Sequence, residues 1–414
     1  MRILVVTLRY PPYVAGGYEL LTRDAVLELR ARGHEVCVLA GRGTRFEENE
    51  RVLPWLEPAL PEDEDGGDLF ELSRSGSNAQ RFRMHFLSPA NLTASRRAIA
   101  AFQPDIVFGF NLGLVSLAPL LAARLAGVKT LLYASDPWLA NHWLREWKES
   151  PHHAAKAVRL EVLQRFWSSF RDLIDVGEVL TCSEYIRGVL ASSGIDPASL
   201  SVAHLGVPPE MERLASEVDP PVREPGEALR VVCLSSFWDG KGQAYLLEGV
   251  AAARRSGAEV ELVLAGAGGG GYLDALRRRA AEPDLAGAVR FEKPMDRAGV
   301  SALLASSHVF CLPSIWGEPF ALSTLEAMAH GLAVVASEDG GTPEAFHDGR
   351  EGVLVPARSG EAIAGALERL LADEPMRRRL GVAAQARARS ELSHGSFVDR
   401  LEAALRRQVP SDAP

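Results

Sequence analysis

A parallel α/β protein built from two doubly wound sheets is the architecture this sequence predicts, and three observations predict it. Short apolar runs alternate with helical stretches, the rhythm breaks once in a Pro-rich acidic segment, and it then restarts. In the first unit the runs are RILVVTL (2–8), EVCVLA (35–40), DIVFGF (105–110), TLLYAS (130–135), EVLTCS (178–183) and SVAHLG (201–206). Each is a near-continuous apolar run, as expected of a parallel strand covered on both faces by helices. The break, PPEMERLASEVDPPVREPGEA (208–228), reads as a linker. The second unit runs through LRVVCLSS (229–236), EVELVLAG (259–266), VRFEKP (289–294), HVFCLPS (308–314), LAVVAS (332–337) and GVLVP (352–356).

The domain boundaries follow. The first domain is expected over 1–208, with an acidic, Gly/Ser-rich insertion at 44–80 that reads as solvated and mobile. The linker takes 209–228 and the second domain 229–390; residues 391–414 supply a last helix, near 395–408, that returns to the first domain, and a tail. A length of 414 residues agrees with two domains of about 100 to 200 residues each.

Composition narrows the function classes. The chain has 47% hydrophobic and 24% charged residues, and its net charge of -9 argues against a primary role in nucleic-acid binding. The longest apolar candidate span, LGLVSLAPLLAARLAG, carries a Pro and an Arg and reads as a buried helix. The start lacks the form of a signal peptide. A cytoplasmic protein is expected, with peripheral attachment to a membrane face left open. Cys37, Cys182, Cys233 and Cys311 sit singly in apolar runs, the pattern of buried reduced thiols. His152 and His153 are adjacent and read as surface residues. No metal and no cofactor are expected.

In open α/β sheets ligands bind beyond the carboxyl ends of the strands, so the segments just after each run are the candidates for chemistry. One is SIWGEPFALSTLEAMAHGLAVVAS (314–337), which carries Glu318 and Glu326. Pro319 predicts a helix starting there, with Glu318 at its start and Ala321 and Leu322 in the first turn, whose free amides make an anion site. On one helix the two Glu would be at most ~12 Å apart along the axis. A single long ligand with phosphates between its ends fits such a pair better than the ~5 to 9.5 Å pair of a glycosidase.

GEPFALSTLEAMAHGLAVVAS followed by EDGGTPEAFHDGREGVLVP resembles the signature of the retaining glycosyltransferases of family 4, and the resemblance extends over nearly the whole chain. It implies the GT-B fold, two facing Rossmann-like domains with a cleft between them. It implies transfer of a sugar from a UDP- or GDP-sugar donor with retention of configuration. Glu318 would meet the donor sugar and Glu326 the ribose. Gly16 and Gly17, in PPYVAGGYE, match the paired glycines that let the backbone approach the diphosphate. Lys241, in SSFWDGKGQ, matches the Lys that neutralises it. Ala321, Leu322 and Ser323 complete the phosphate contacts.

Six positions depart from the family pattern. Ala321 and Ser235 stand where Gly is usual, and Ala333 where Pro is usual. Ser236 stands at the donor where Arg is usual, and Arg9 is the candidate substitute. Ser135 replaces the His of a His-Asp pair, leaving Asp136 either to orient a hydroxyl of the acceptor or donor or to cap the helix starting at Pro137. Lys293 replaces a Gly beside the base, so the base cannot be read. Trp138, Trp143 and Trp147 read as packing in preference to a sugar platform. GGTPE reads as a structural turn with Pro343 and Glu344 opening a helix. The acceptor, whether glycan, lipid-linked or small molecule, is not specified. The rival readings are a non-catalytic sugar-nucleotide-binding or scaffold protein, a nucleotide-sugar epimerase and a glycan phosphorylase. A dinucleotide dehydrogenase is disfavoured, because no G-x-G-x-x-G follows the first strand.

Overall fold

The computed structural model describes residues 1–12, 17–41, 51–57, 87–141, 174 and 176–409. Gly16, Trp143, Trp147, His152, His153 and most of the stretch 44–80 lie outside them. The chain divides into two units, residues 1–203 with 398–414, and residues 204–397.

The first unit is a seven-stranded sheet. Its strands are β1 (Arg2–Val6), β2 (Glu35–Gly41), β3 (Val52–Leu56), β4 (Ile106–Gly109), β5 (Lys129–Ala134), β6 (Glu178–Thr181) and β7 (Leu200–Val202). Their order is β3-β2-β1-β4-β5-β6-β7 and every pair is parallel. Ile3, Val5 and Val6 at its centre are fully buried, as are Val38 and Leu39 beside them. That is why these strands read as unbroken apolar runs. β3 falls within the expected insertion, so residues 52–56 are an edge strand and the acidic-insertion reading does not hold for them.

The second unit is a six-stranded sheet of β8 (Leu229–Leu234), β9 (Val260–Ala265), β10 (Val289–Glu292), β11 (Val309–Leu312), β12 (Ala333–Ser337) and β13 (Gly352–Val355). The order is β10-β9-β8-β11-β12-β13, again all parallel. Its core joins Val231, Cys233, Leu262, Leu264, Val309 and Cys311 to Leu246, Leu247 and Val250 of the helix Gln243–Arg255. All four cysteines are buried and free.

Residues 209–216, read as the start of a linker, form a helix instead. Pro209 opens it, and Met211 and Ala215 lie four apart on one buried face, a periodicity masked in the sequence by its Pro and Glu. The helix His394–Gln408 ends in the first unit. There Arg32 meets Asp399 at 2.6 Å and Glu402 at 3.1 Å, and Arg407 meets Glu178 at 2.6 Å. No helix among the described residues is long and apolar enough to cross a membrane.

Candidate functional site

In the second sheet the strand order turns back between β8 and β11, so the loops beyond their carboxyl ends flank a topological switch point. The loop after β8 closes in a tight turn, Asp239–Lys241, and Gly242 then starts the next helix with φ of 69°. A Cβ at Gly242 would lie 2.0 Å from the Pro313 carbonyl oxygen, so only glycine lets the two loops meet here. The Ile315 amide donates to the Gly240 carbonyl at 2.8 Å and stitches them together.

That stitch brings two of the expected site residues into contact. Lys241 Nζ lies 2.6 Å from Glu318 Oε2, and both side chains are largely buried. Ser314 Oγ donates to the same oxygen at 3.0 Å and Trp316 Nε1 at 2.9 Å. Three donors therefore converge on Oε2, while Oε1 has no hydrogen-bond partner among the described residues. The backbone is fixed as well. The Gly341 amide donates to the Glu318 carbonyl at 2.7 Å, and a Cβ on Gly340, whose φ is 72°, would lie 2.5 Å from the Glu318 nitrogen. The GGTPE segment is thus the brace of the Glu318 loop. It continues as a single helical turn, Thr342–Glu344, so the helix expected from Pro343 and Glu344 is one turn long.

The helix after Glu318 runs over Leu322–Ala329 with Ala321 as its N-cap. The expected start at Pro319 is corrected by three residues: Pro319 and Glu318 belong to the loop, and the Glu318 backbone is held by the Gly340–Gly341 brace. The two Glu are therefore not on one helix. Ala321 offers no capping side chain, so the first-turn amides of Leu322 and Ser323 have no acceptor among the described residues. Free amides at a helix start suit an anion.

Glu326 lies one turn further along this helix, its side chain 17% exposed and 3.8 Å from Arg297 Nη1. Burial pushes its carboxyl up to about 7, with Arg297 opposing. Arg297 also meets Glu210 at 3.4 Å. Sequence reading missed Arg297, Ser314 and Trp316. The available signal was the polar and aromatic side chains packed immediately before Glu318 and the basic residue opening the helix that follows Asp296. Ser236, at the end of β8, is exposed. Its carbonyl accepts from Gln243 Nε2 at 2.9 Å.

The remaining expected residues lie in the first unit. Gly17 is exposed and opens the helix Gly17–Ala31. Asp136 follows β5, and its Oδ1 accepts the Trp138 amide at 2.7 Å, the capping arrangement for the short helix Trp138–Asn141. Burial pushes its carboxyl up to about 6. Tyr18 Oη lies 2.7 Å from the Phe110 carbonyl and 2.8 Å from that of Tyr133, and accepts the Ser135 amide at 3.2 Å. It ties the ends of β4 and β5 to the first helix, beside Asp136. Trp138 is buried, in keeping with packing.

Comparison with known proteins agrees in both halves. The model of glycosyl transferases group 1 matches residues 216–387, and that of Glycosyltransferase Family 4 matches residues 15–211. A GDP-mannose-dependent alpha-(1-6)-phosphatidylinositol monomannoside mannosyltransferase of Mycobacterium tuberculosis is 30% identical over 400 residues, 92% of each chain. Its counterpart from Mycolicibacterium smegmatis is 29% identical over 395 residues, again 92% of each. Among solved structures, a glycosyltransferase of Rickettsia africae superposes with a TM-score of 0.71 at 16% identity, over 99% of this chain and 100% of that one. HepE of Anabaena, in complex with UDP and glucose, gives 0.66 at 18% identity, over 98% and 100%. At these identities the structural likeness speaks for the fold.

Proposed function

The chain belongs to the glycosyltransferases of group 1, with a first half of the family 4 type, and from that premise we propose that it transfers mannose from GDP-mannose to a lipid-linked glycan acceptor with retention of configuration. That it is a glycosyltransferase using a nucleotide-sugar donor follows from the family. The choice of GDP-mannose and of a glycolipid acceptor is supported by the two mannosyltransferases that match over 92% of this chain, and a lipid-linked acceptor would be met at a membrane face.

The observation that carries the mechanism is the contact of Lys241 with Glu318 beside the uncapped start of the helix Leu322–Ala329. The bond from the anomeric carbon to the diphosphate oxygen breaks as the acceptor oxygen bonds to that carbon, and the acceptor proton passes to the leaving phosphate. Negative charge builds on the diphosphate. Lys241 leaves Glu318 to meet it, joined by the amides of Leu322 and Ser323. Preorganised donors of this kind lower the barrier because they need no reorientation as charge develops. Glu318, held through Oε2, offers Oε1 to a sugar hydroxyl, and its charge favours the positive character developing at the anomeric carbon. Glu326 accepts from the ribose hydroxyls. Asp136 orients the acceptor hydroxyl in addition to capping its short helix. Neither a metal nor a cofactor has a part in this scheme.

The test is incubation with GDP-mannose, UDP-glucose and ADP-glucose, each with and without a mannosylated inositol phospholipid in vesicles, followed by mass spectrometry. The expected product is the lipid heavier by one hexose, formed from GDP-mannose. Release of an altered nucleotide sugar without acceptor would indicate the epimerase reading, and no turnover with any donor would return the protein to a scaffold role.

A further inference from the structure

Two large aromatic side chains stand exposed at the donor loops. Trp238 and Trp316 are each 39% exposed, and their rings meet edge to face with centroids 5.4 Å apart. Exposed indoles in contact with each other are an apolar patch that the fold has no need to leave open. Both are also fixed in place. Trp316 is anchored by its Nε1 hydrogen bond to Glu318 Oε2 at 2.9 Å, and the Lys241 ammonium lies 5.2 Å from the centre of its ring. Trp238 lies against the backbone of its own turn: a Cβ on Gly240 would sit 2.2 Å from two of its ring carbons.

From this we propose that Trp238 and Trp316 form an aromatic platform for the pyranose being transferred. The proposal rests on the reading of Lys241 and Glu318 as the donor site. A pyranose has a face of C–H groups and a rim of hydroxyls. The C–H hydrogens carry partial positive charge and suit the negative face of an indole, while the hydroxyls need polar partners at the edge. This site offers both, with Trp316 and Glu318 two residues apart. The indoles supply the apolar surface, and Glu318 Oε1, open among the described residues, stands beside Trp316 to accept from the rim. The platform also separates recognition of the sugar from recognition of the nucleotide, since Lys241, the helix start and Glu326 serve the diphosphate and ribose.

The experiment compares GDP with GDP-mannose, and UDP with UDP-glucose, by titration calorimetry on wild type, Trp238→Ala, Trp238→Phe and Trp316→Phe. Trp238→Ala is expected to leave nucleoside diphosphate affinity within about twofold and to cut the advantage of the sugar nucleotide over it by about tenfold, the scale of one aromatic contact. Trp238→Phe, which keeps an aromatic face, should retain that advantage to within about threefold. Trp316→Phe keeps a ring but loses the bond to Glu318, so it should also reduce the advantage while sparing the diphosphate. An unchanged advantage in Trp238→Ala and Trp316→Phe would overturn the platform. Equal loss of diphosphate and sugar-nucleotide affinity would also overturn it, making the indoles props of the Lys241 turn. If wild type binds neither diphosphate, the donor-site reading itself fails, and the platform with it.

Discussion

Lys241 and Glu318 pair with each other in the free protein, so under the proposed mechanism a donor trades that contact for two new ones, ammonium to phosphate and carboxylate to sugar. The two residues should therefore fail differently. Lys241→Met removes the cation that meets the diphosphate, and GDP and GDP-mannose should both bind at least tenfold more weakly by calorimetry. Glu318→Gln keeps the size and one acceptor oxygen, so GDP should bind nearly normally while turnover drops by about 100-fold or more, the scale of one preorganised electrostatic contact. Equal turnover in wild type and Glu318→Gln would remove Glu318 from the mechanism. Glu326 adds a pH signature. With its carboxyl pushed up to about 7 by burial, its charged form is depleted as pH falls below that value. If the carboxylate is what the ribose needs, GDP affinity should fall by up to about tenfold per pH unit below 7. Glu326→Gln should lack that limb, and because ionisation of the phosphates is common to both proteins, their difference isolates Glu326. The sign for stability is opposite. A carboxyl whose folded pKa is raised contributes stability at low pH that is lost as pH rises through about 7. Glu318, Lys241 and Glu326 were legible because their spacing follows a family pattern. Ser314 and Trp316, which meet Glu318 within their own loop, and Arg297, which meets Glu326 from another helix, were not, because no such spacing marks them.

Elements obeyed local rules except where a neighbouring loop overrode them. Pro319 is a good first-turn residue by its fixed φ, yet the helix waits until Leu322 because Gly340 and Gly341 hold the Glu318 backbone from the side. No window of sequence around Pro319 contains that brace. The helix Pro209–Ser216 was hidden by its polar composition, with only Met211 and Ala215 turned inward. The segment after it is held by a buried cation. Arg377, 1% exposed, donates through Nη2 to the Pro221 carbonyl at 2.8 Å and through Nη1 to the His308 carbonyl at 3.2 Å, and its Nε meets Glu374 at 2.9 Å. One side chain thus ties the helix Glu374–Ser390 to the β11 approach and to the Pro-rich segment. Arg377→Met keeps the volume but leaves the two carbonyls without this donor and Glu374 with Arg223 alone. A loss of about 3 kcal/mol is expected in urea unfolding, as for breaking a buried ion pair. A change below about 1 kcal/mol would show that Arg377 is tolerated and not needed.

At the scale of the molecule the twelve apolar runs announced two parallel sheets because strands covered on both faces carry no polar alternation. β3 escaped notice for the complementary reason: it is an edge strand with Pro54 inside it and partly exposed side chains. The two units differ in how the chain closes them. The second is continuous, whereas the first is completed only by residues 398–414, after the chain has finished the second. That return is a core contribution. Val398, Leu401 and Leu405 are fully buried, and Glu402 accepts from Arg32 while lying 3.2 Å from His34. Three buried aliphatic side chains are worth about 1.5 to 3 kcal/mol each, together a large share of the roughly 5 to 15 kcal/mol that holds a domain. A chain ending at Phe397 should therefore lose the first unit and keep the second. Hydrogen exchange followed by mass spectrometry should show β1, β2 and β6 unprotected while β8, β11 and β12 exchange as in the full chain. A chain ending at Val409 should match the 414-residue chain throughout. Protection of the first sheet that survives truncation at Phe397 would mean the unit folds without its last helix, and the helix would then be a tether and not part of the core.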